Sequence, residues 1–130
     1  MITFGKFVSI PVADQQRALE FYRDQLGFEV RADAPYGEEM GGGEGGRWLE
    51  VAPKGAQTGF VLYSAEAQGG EEPGGMSPVV FDSDDIVGTC EDLKAKGVEV
   101  TVEPAEMPWG WWAQFKDSEG NEFGLGQSRE

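Results

Sequence analysis

Apolar and polar residues follow one another along the chain in an order that occurs twice: a strand, a helix, then three strands. Short runs of β-branched and aromatic residues predict the strands of the first half, which are residues 4–12, 28–31, 48–51 and 59–63. The same criterion predicts those of the second half, which are residues 78–81, 98–102 and the two strands of a hairpin within 108–125. A Pro-containing loop, residues 103–108, is predicted before this hairpin. The repeated order indicates a duplicated module.

Both predicted helices have clear boundary signals. Asp14 is an acidic N-cap for the first helix, and Gly27 ends that helix at its C′ position. A second acidic segment, residues 82–85, supplies the cap of the second helix. The chain leaves the two helices with similar sequences, LGFEV at 26–30 and KGVEV at 96–100, which supports the duplication.

The hairpin brings aromatic residues together. Trp109 precedes its first strand, Trp111 and Trp112 lie in that strand, and a polar turn follows at 117–121. Trp and Phe crowded into one hairpin predict a wall for a flat or apolar ligand, although core filling explains any single Trp as well. Adjacent residues of a strand face opposite ways, so at most one of Trp111 and Trp112 lines this wall, and the sequence does not say which.

Two Gly-rich segments interrupt the pattern. Residues 35–47 predict a loop that lacks the Lys-Ser/Thr pair and the following helix of a phosphate-binding loop. Residues 65–76 are polar and rich in Gly and Pro, as in a flexible linker. We therefore predict a single domain, 1–130, that consists of module one (1–66), a linker (67–76) and module two (77–127).

Acidic residues outnumber basic ones by 24 to 10, which gives a net charge of −14. This balance argues against a nucleic-acid partner, because such a partner requires a basic surface. It is compatible with a cationic small-molecule ligand and, more simply, with solubility or adaptation to a salty cytoplasm.

Other absences from the sequence narrow the possible chemistry. The chain has no histidine, which excludes Ser-His-Asp and Cys-His nucleophilic systems and every His-containing metal site. Its single cysteine, Cys90, is predicted to be a small buried hydrophobic residue of the second helix. No apolar run is long enough to span a membrane, and the N-terminus lacks a signal-peptide pattern, so we expect a cytoplasmic protein without a membrane partner.

Short motifs follow one another through nearly the whole chain: VAD (12–14), ALEFYRDQLGF (18–28), FDSDDI (81–86), LKAKGVEV (93–100), PWG (108–110) and FKDSEGNEFGL (115–125). Together they resemble the vicinal oxygen chelate superfamily, which contains glyoxalase I, bleomycin-resistance proteins, fosfomycin-resistance enzymes and extradiol dioxygenases. The resemblance implies an α+β fold of two βαβββ modules whose curved sheets join into a cup-shaped mixed sheet. It also implies a homodimer.

Metal-using members of that superfamily hold their metal with four His, Glu or Gln ligands at fixed strand positions. The matching positions in this chain are Phe7, Val61, Pro78 and Gly124. None of these residues can bind a divalent cation, and a slip of two residues brings only one carboxylate, Glu122. We therefore expect no metal and no cofactor, and the metal-dependent chemistries of the superfamily are disfavoured.

The resemblance makes the inner wall of the cup the candidate ligand-binding site. The residues expected to line it are Phe7, Ser9, Trp48, Glu50, Val61, Tyr63, Trp109, Trp111, Trp112 and Phe115. Strand alternation puts Trp48 and Glu50 on one face, where they could receive a planar or cationic ligand. The other interpretation has Trp48 in the core and Glu50 in solvent. No residue is assigned a catalytic role.

We interpret the chain as a metal-free small-molecule-binding protein that resembles the bleomycin-resistance branch and sequesters a hydrophobic, aromatic or cationic compound in an aromatic-lined cup. The alternative is an enzyme of the same superfamily, a lyase, isomerase or dioxygenase, with an atypical metal site at Glu50 and Glu122 or none. A third possibility is a cup that serves only as an interaction or scaffold domain. Loss of the four ligand positions favours the first interpretation over the second, and the Trp cluster favours it over the third.

Overall fold

The structure, a computed structural model, describes residues 1–35, 47–64 and 72–128. The chain divides into two compact units, unit one (Met1–Pro73) and unit two (Gly74–Glu130). Within the described residues, each unit contains one four-stranded sheet of mixed direction and one main helix. This architecture confirms the predicted α+β class and the two βαβββ modules. None of the helices in the described ranges is long and apolar enough to cross a membrane.

Unit one follows the predicted order of elements. Its strands are β1 (Phe7–Val12), β2 (Glu29–Pro35), β3 (Arg47–Ala52) and β4 (Gly59–Ser64), arranged in the sheet as β1-β4-β3-β2. Strands β1 and β4 are parallel, and the other neighbours are antiparallel. Helix α1 (Gln15–Glu20) continues into a π-helical turn, Phe21–Gln25, and connects β1 to β2.

Unit two repeats the same arrangement. Its strands are β5 (Gly75–Asp82), β6 (Val100–Met107), β7 (Gly110–Lys116) and β8 (Asn121–Ser128), arranged as β5-β8-β7-β6. Strands β5 and β8 are parallel, and β8, β7 and β6 are antiparallel neighbours. Helix α2 (Ile86–Ala95) connects β5 to β6.

The boundary signals of both helices act as predicted. The Asp14 carboxylate accepts a hydrogen bond from the backbone N–H of Arg17 (3.0 Å), and Asp85 accepts one from Gly88 (3.1 Å). Each bond satisfies one of the N–H groups that a helix leaves unpaired at its start. Gly27, with a φ of 74°, reverses the chain after the first helix without the strain that a side chain would add there.

Apolar side chains between each helix and its sheet form the core of that unit. In unit one they include Ile10, Val12, Leu19, Phe21, Tyr22, Leu49, Val51, Phe60 and Leu62. In unit two they include Ile86, Cys90, Leu93, Val98, Ala113, Phe115, Phe123 and Leu125. The burial of Cys90 confirms its prediction, and that burial raises the pKa of its thiol.

The turn before β8 is built around a buried carboxylate. Asp117 is only 7% exposed, and its Oδ1 accepts hydrogen bonds from the backbone N–H groups of Glu119 (2.8 Å) and Asn121 (2.9 Å). Its Oδ2 accepts a third from the side-chain amide of Asn121 (3.0 Å). Gly120 takes a φ of 82°, as the predicted tight turn requires. Asp117 therefore fixes the start of β8.

The predicted loop at 103–108 is wrong for most of its length, because β6 continues through Pro104 to Met107. Strand β6 is at the edge of its sheet, where a Pro without an N–H does not interrupt a ladder. An irregularity between Val102 and Ala105 accommodates that Pro. Strand β5 likewise starts at Gly75, earlier than the residue 78 of the prediction. Most of the predicted Gly-rich loop and linker lies outside the described residues.

Candidate functional site

The distal face of unit one is the side of its sheet that points away from α1. Strand pairing places Ser9 beside Val61, and Val61 beside Glu50, so their side chains share one face. Alternating residues such as Phe60 point the other way, where the Phe60 ring lies 6.4 Å from that of Phe28 and so belongs to the helix-side core. The site residues predicted for the first half all lie on the distal face, by pairing and alternation; they are Phe7, Ser9, Trp48, Glu50, Val61 and Tyr63.

Two aromatic rings meet on this distal face. The ring centroids of Phe7 and Trp48 are 5.2 Å apart at an interplanar angle of 82°, an edge-to-face contact. Phe7 is 39% exposed and Trp48 is half-buried. The Phe7 ring is therefore partly accessible to a ligand, and Trp48 is only partly buried.

The Glu50 side chain lies across a glycine of the neighbouring strand. A Cβ at position 59 would stand 3.1 Å from Cδ of Glu50 and closer still to Oε2. Gly59 therefore provides the space that the carboxylate occupies. Because Phe7 pairs directly with Gly59, the carboxylate and the aromatic pair start from adjacent positions of the sheet.

The distal face of unit two, the side away from α2, carries Trp112. A Cβ at position 124 would stand 2.6 Å from Cζ2 of Trp112 and closer still to Cη2, so the six-membered ring of the indole lies directly over Gly124. The indole Nε1–H donates a hydrogen bond to Oε1 of Gln114 (2.9 Å). A ring seated on a glycine and held by its N–H has a defined orientation.

A chain of hydrogen bonds continues from this ring. The Gln114 amide Nε2 donates to Oε2 of Glu122 (2.9 Å), and the Thr101 hydroxyl donates to the same oxygen. These two bonds lower the pKa of Glu122, and the bond from Thr101 has the larger effect. Glu122 is thus a carboxylate engaged by its neighbours, and it anchors the amide that orients the Trp112 indole.

The remaining predicted aromatic residues lie elsewhere in unit two. Trp111 pairs with Gln127, whose side-chain oxygen accepts a hydrogen bond from the backbone N–H of Ile86 at the start of α2 (2.6 Å), so Trp111 faces the helix. Phe115 is 4% exposed and packs against Phe123, with ring centroids 5.7 Å apart. Both therefore lie on the face opposite Trp112.

Trp109 lies outside the strands, in the turn between β6 and β7. Its side chain is 66% exposed. The structure brings it into no ring pair among the described residues.

Sequence reasoning missed Gln114 and Thr101, and it treated Gly124 only as a lost ligand position. A signal was present in the duplication. Strand β3 reads Trp48-Leu49-Glu50 and the equivalent strand β7 reads Trp112-Ala113-Gln114. Glu50 pairs with Val61 as Gln114 pairs with Gly124, so the two Trp-x-Glu/Gln segments occupy equivalent positions of their sheets.

The four positions matched to metal ligands do not fit a metal. Phe7 and Val61 in unit one, and Pro78 and Gly124 in unit two, have no side-chain donor atom, and the Trp112 ring covers the last of them. Within residues 1–35, 47–64 and 72–128, no three His, Cys, Asp or Glu side chains group together as a metal site would require. No reaction step through a metal is therefore derived.

Comparison with known proteins shows similarity over almost the entire chain. The family model described as the glyoxalase/bleomycin resistance protein/dioxygenase superfamily matches residues 5–125. The uncharacterized protein YetH of Bacillus subtilis (strain 168) is 45% identical over 116 residues, which cover 89% of this chain and 91% of that protein.

Two solved structures are similar over both units. TnmS3, described as an antibiotic binding protein from Streptomyces sp. CB03234, is 38% identical with a TM-score of 0.81 and covers 98% of this chain and 97% of its own. A superfamily member from Sphaerobacter thermophilus DSM 20745 is 33% identical with a TM-score of 0.86 and covers 98% of each chain.

Proposed function

The chain belongs to the glyoxalase/bleomycin resistance protein/dioxygenase superfamily, and from this premise we propose that it is a metal-free protein that captures a hydrophobic, aromatic or cationic small molecule. The observation that carries the proposal is the Trp112 indole, seated over Gly124 with its Nε1–H bonded to Gln114. The ligand would stack on the outward side of this ring.

An oriented indole suits capture better than a mobile one. Immobilising a free side chain on binding costs about 0.5–1.5 kcal/mol. Trp112 is already oriented by its packing on Gly124 and by its hydrogen bond. Stacking on an aromatic ring contributes about 0.5–1.5 kcal/mol beyond the apolar area that it buries. The orientation therefore lets most of the stacking energy appear as affinity.

The Gly124 seat also bears on the choice between binding and catalysis. A metal-using relative would need a ligand side chain at this position, and any such side chain would collide with the Trp112 ring. The chain thus has a stacking surface where the metal-dependent enzymes would have a donor. This exchange supports a binding protein over a metal enzyme of the same superfamily.

The similarity to TnmS3 supports the same class of function. That protein is described as antibiotic-binding, and it is 38% identical to this chain over nearly its whole length. We infer a ligand of comparable kind, a small organic compound with a flat apolar part. The homodimer and the cytoplasmic location stay predictions of the sequence.

Calorimetric titration with acridine, a flat neutral compound at pH 7.5, tests the proposal. We expect Trp112→Leu to weaken acridine binding about three- to tenfold, because it removes one stacking contact. The matched control is Phe4→Leu, which removes an exposed aromatic residue that precedes β1 and is not part of either sheet.

Two results would contradict the proposal. Equal acridine affinity of the wild type and Trp112→Leu would show that the indole is not the stacking surface. Stoichiometric metal in protein purified without chelator, together with a rise in Tm on adding a divalent metal, would contradict a metal-free site and favour the enzyme alternative.

A further inference from the structure

The Glu50 carboxylate stands on a sheet face where the described residues offer it aromatic rings and no cation. Glu50 is half-buried on β3, and its carboxylate lies over Gly59 rather than extending into solvent. Phe7 is the direct pairing partner of Gly59 and makes the edge-to-face contact with Trp48. An anionic group and a pair of ring surfaces thus share one small area of unit one.

Carboxylates of the neighbouring strand β2 have basic partners among the described residues. Asp33 pairs with Arg47 at 3.1 Å, and the carboxylate of Glu29 pairs with Arg31 at 3.0 Å. In the described ranges 1–35, 47–64 and 72–128, by contrast, no side chain donates a hydrogen bond or an ion pair to Glu50. A partly buried carboxylate to which no described side chain donates can accept a hydrogen bond from a ligand, and such charge-assisted bonds are favourable.

The residue of unit two that is equivalent to Glu50 is Gln114, and the two residues differ in charge. Gln114 is neutral, and both groups of its amide are used, Oε1 by Trp112 and Nε2 by Glu122. The two Trp-x-Glu/Gln segments occupy equivalent positions of their sheets, but only that of unit one carries a charge.

We propose that Glu50, Phe7 and Trp48 form a subsite for an organic cation, a protonated amine or an alkylated ring nitrogen. The carboxylate supplies the counter-charge, and the rings supply faces that attract a cation more strongly than a neutral group. A compact hydrated metal ion would use the carboxylate but not the rings, so the pair selects a cation on an apolar body. This inference rests on the proposed function, since it specifies which ligands the protein captures.

A matched pair of probes tests the subsite. Acridine is neutral at pH 7.5, and 10-methylacridinium has nearly the same shape and a permanent positive charge. We expect the wild type to bind the cation about five- to tenfold more tightly, as measured by calorimetry. Glu50→Gln should remove most of this preference by weakening the binding of the cation, because only the attraction of the rings for a cation remains.

Two further variants separate the subsite from general charge attraction. Glu91→Gln removes one negative charge from the exposed surface of α2 and should keep the preference for the cation. Gly59→Ala keeps every charge but adds a Cβ where the Glu50 carboxylate lies, so it should reduce the preference. Gly59→Ala also decides the question if Glu50→Gln fails to fold by circular dichroism.

Equal binding of the two probes by the wild type would overturn the subsite. Equal loss of the preference in Glu50→Gln and Glu91→Gln would also overturn it, because the net charge alone would then explain the attraction. In either case a weaker acridine complex of Trp112→Leu would still support the proposed function. Failure of Trp112→Leu to affect acridine would instead count against the proposed function alone.

Discussion

Replacing Gly124 with Ala should displace the Trp112 indole without removing any aromatic atom. The new Cβ would lie 2.6 Å from Cζ2 and closer to Cη2, whereas favourable carbon–carbon contacts are about 3.5–4.0 Å. The ring edge must therefore move by roughly 1 Å or more. A shift of that size takes Nε1 away from Oε1 of Gln114, from which it is now 2.9 Å.

The energetic consequences follow from these two changes. Crowding a packed contact costs about 1–3 kcal/mol, and the lower end applies here because the obstructing atoms are at the end of a side chain that can move. Loss of one neutral hydrogen bond costs about 1 kcal/mol. We expect the free energy of unfolding to fall by about 1–3 kcal/mol and acridine affinity to fall about three- to tenfold.

Gly126→Ala is the matched control. It adds the same methyl group to the same face of β8. Its Cβ, however, would have its nearest contacts at 3.8 Å, with the backbone oxygen of Trp111, and at 4.0 Å, with Oδ1 of Asp82. Urea unfolding followed by circular dichroism measures stability, calorimetry measures affinity, and the NMR signal of the Trp112 Nε1–H reports the hydrogen bond. If Gly124→Ala left that signal and the affinity unchanged, the reasoning about the glycine seat would be refuted.

Two other variants probe the frame around the site. Asp117→Ala leaves two backbone N–H groups and the amide of Asn121 without their acceptor, so urea unfolding should show a loss of about 2–4 kcal/mol; a loss below about 1 kcal/mol would contradict the role of this turn. Thr101→Val should raise the pKa of Glu122 in a carbon-detected NMR titration, because it removes the larger of the two bonds that lower it. Because the pKa of Glu122 is lower in the folded state than in the unfolded chain, where it is about 4.3, the ionised carboxylate stabilises the fold at pH values above about 4.3. This stabilisation is lost as the pH falls through the lower pKa of the folded state. The loss of stability relative to the wild type should therefore be larger at pH 7 than at pH 2, and a difference that does not change with pH would contradict the assignment.

Local patterns predicted much of the fold. The placement of Trp48 and Glu50 on one face needed only strand alternation, and pairing with Val61 confirms that face. The helix boundaries at Asp14 and Gly27 needed only capping chemistry, which acts within one turn of the chain. Features determined by a residue and its immediate neighbours were therefore accessible from the sequence.

Features that depend on the order of strands in the sheet could not be predicted from the sequence. Alternation predicts that Trp111 and Trp112 point in opposite directions, but the position of α2 decides which of them shares the core with Phe115. The edge position of β6 likewise decides that Pro104 is tolerated in a strand, and edges are a property of the whole sheet. Both facts require the order of strands, which no local motif encodes.

The most instructive case is Gly124, because its meaning changed between sequence and structure. Alignment to the superfamily interprets this glycine as the loss of a metal ligand, whereas in the sheet it is the space that Trp112 requires. Gly59 has the same relation to Glu50 in unit one. In both units a glycine of the last strand thus accommodates a long side chain from the third strand. The two modules share this arrangement, and they differ in the group that the glycine accommodates: in unit one a carboxylate to which no described side chain donates, and in unit two a hydrogen-bonded indole. We infer that this divergence gives the chain one surface for positive charge and one for flat apolar rings.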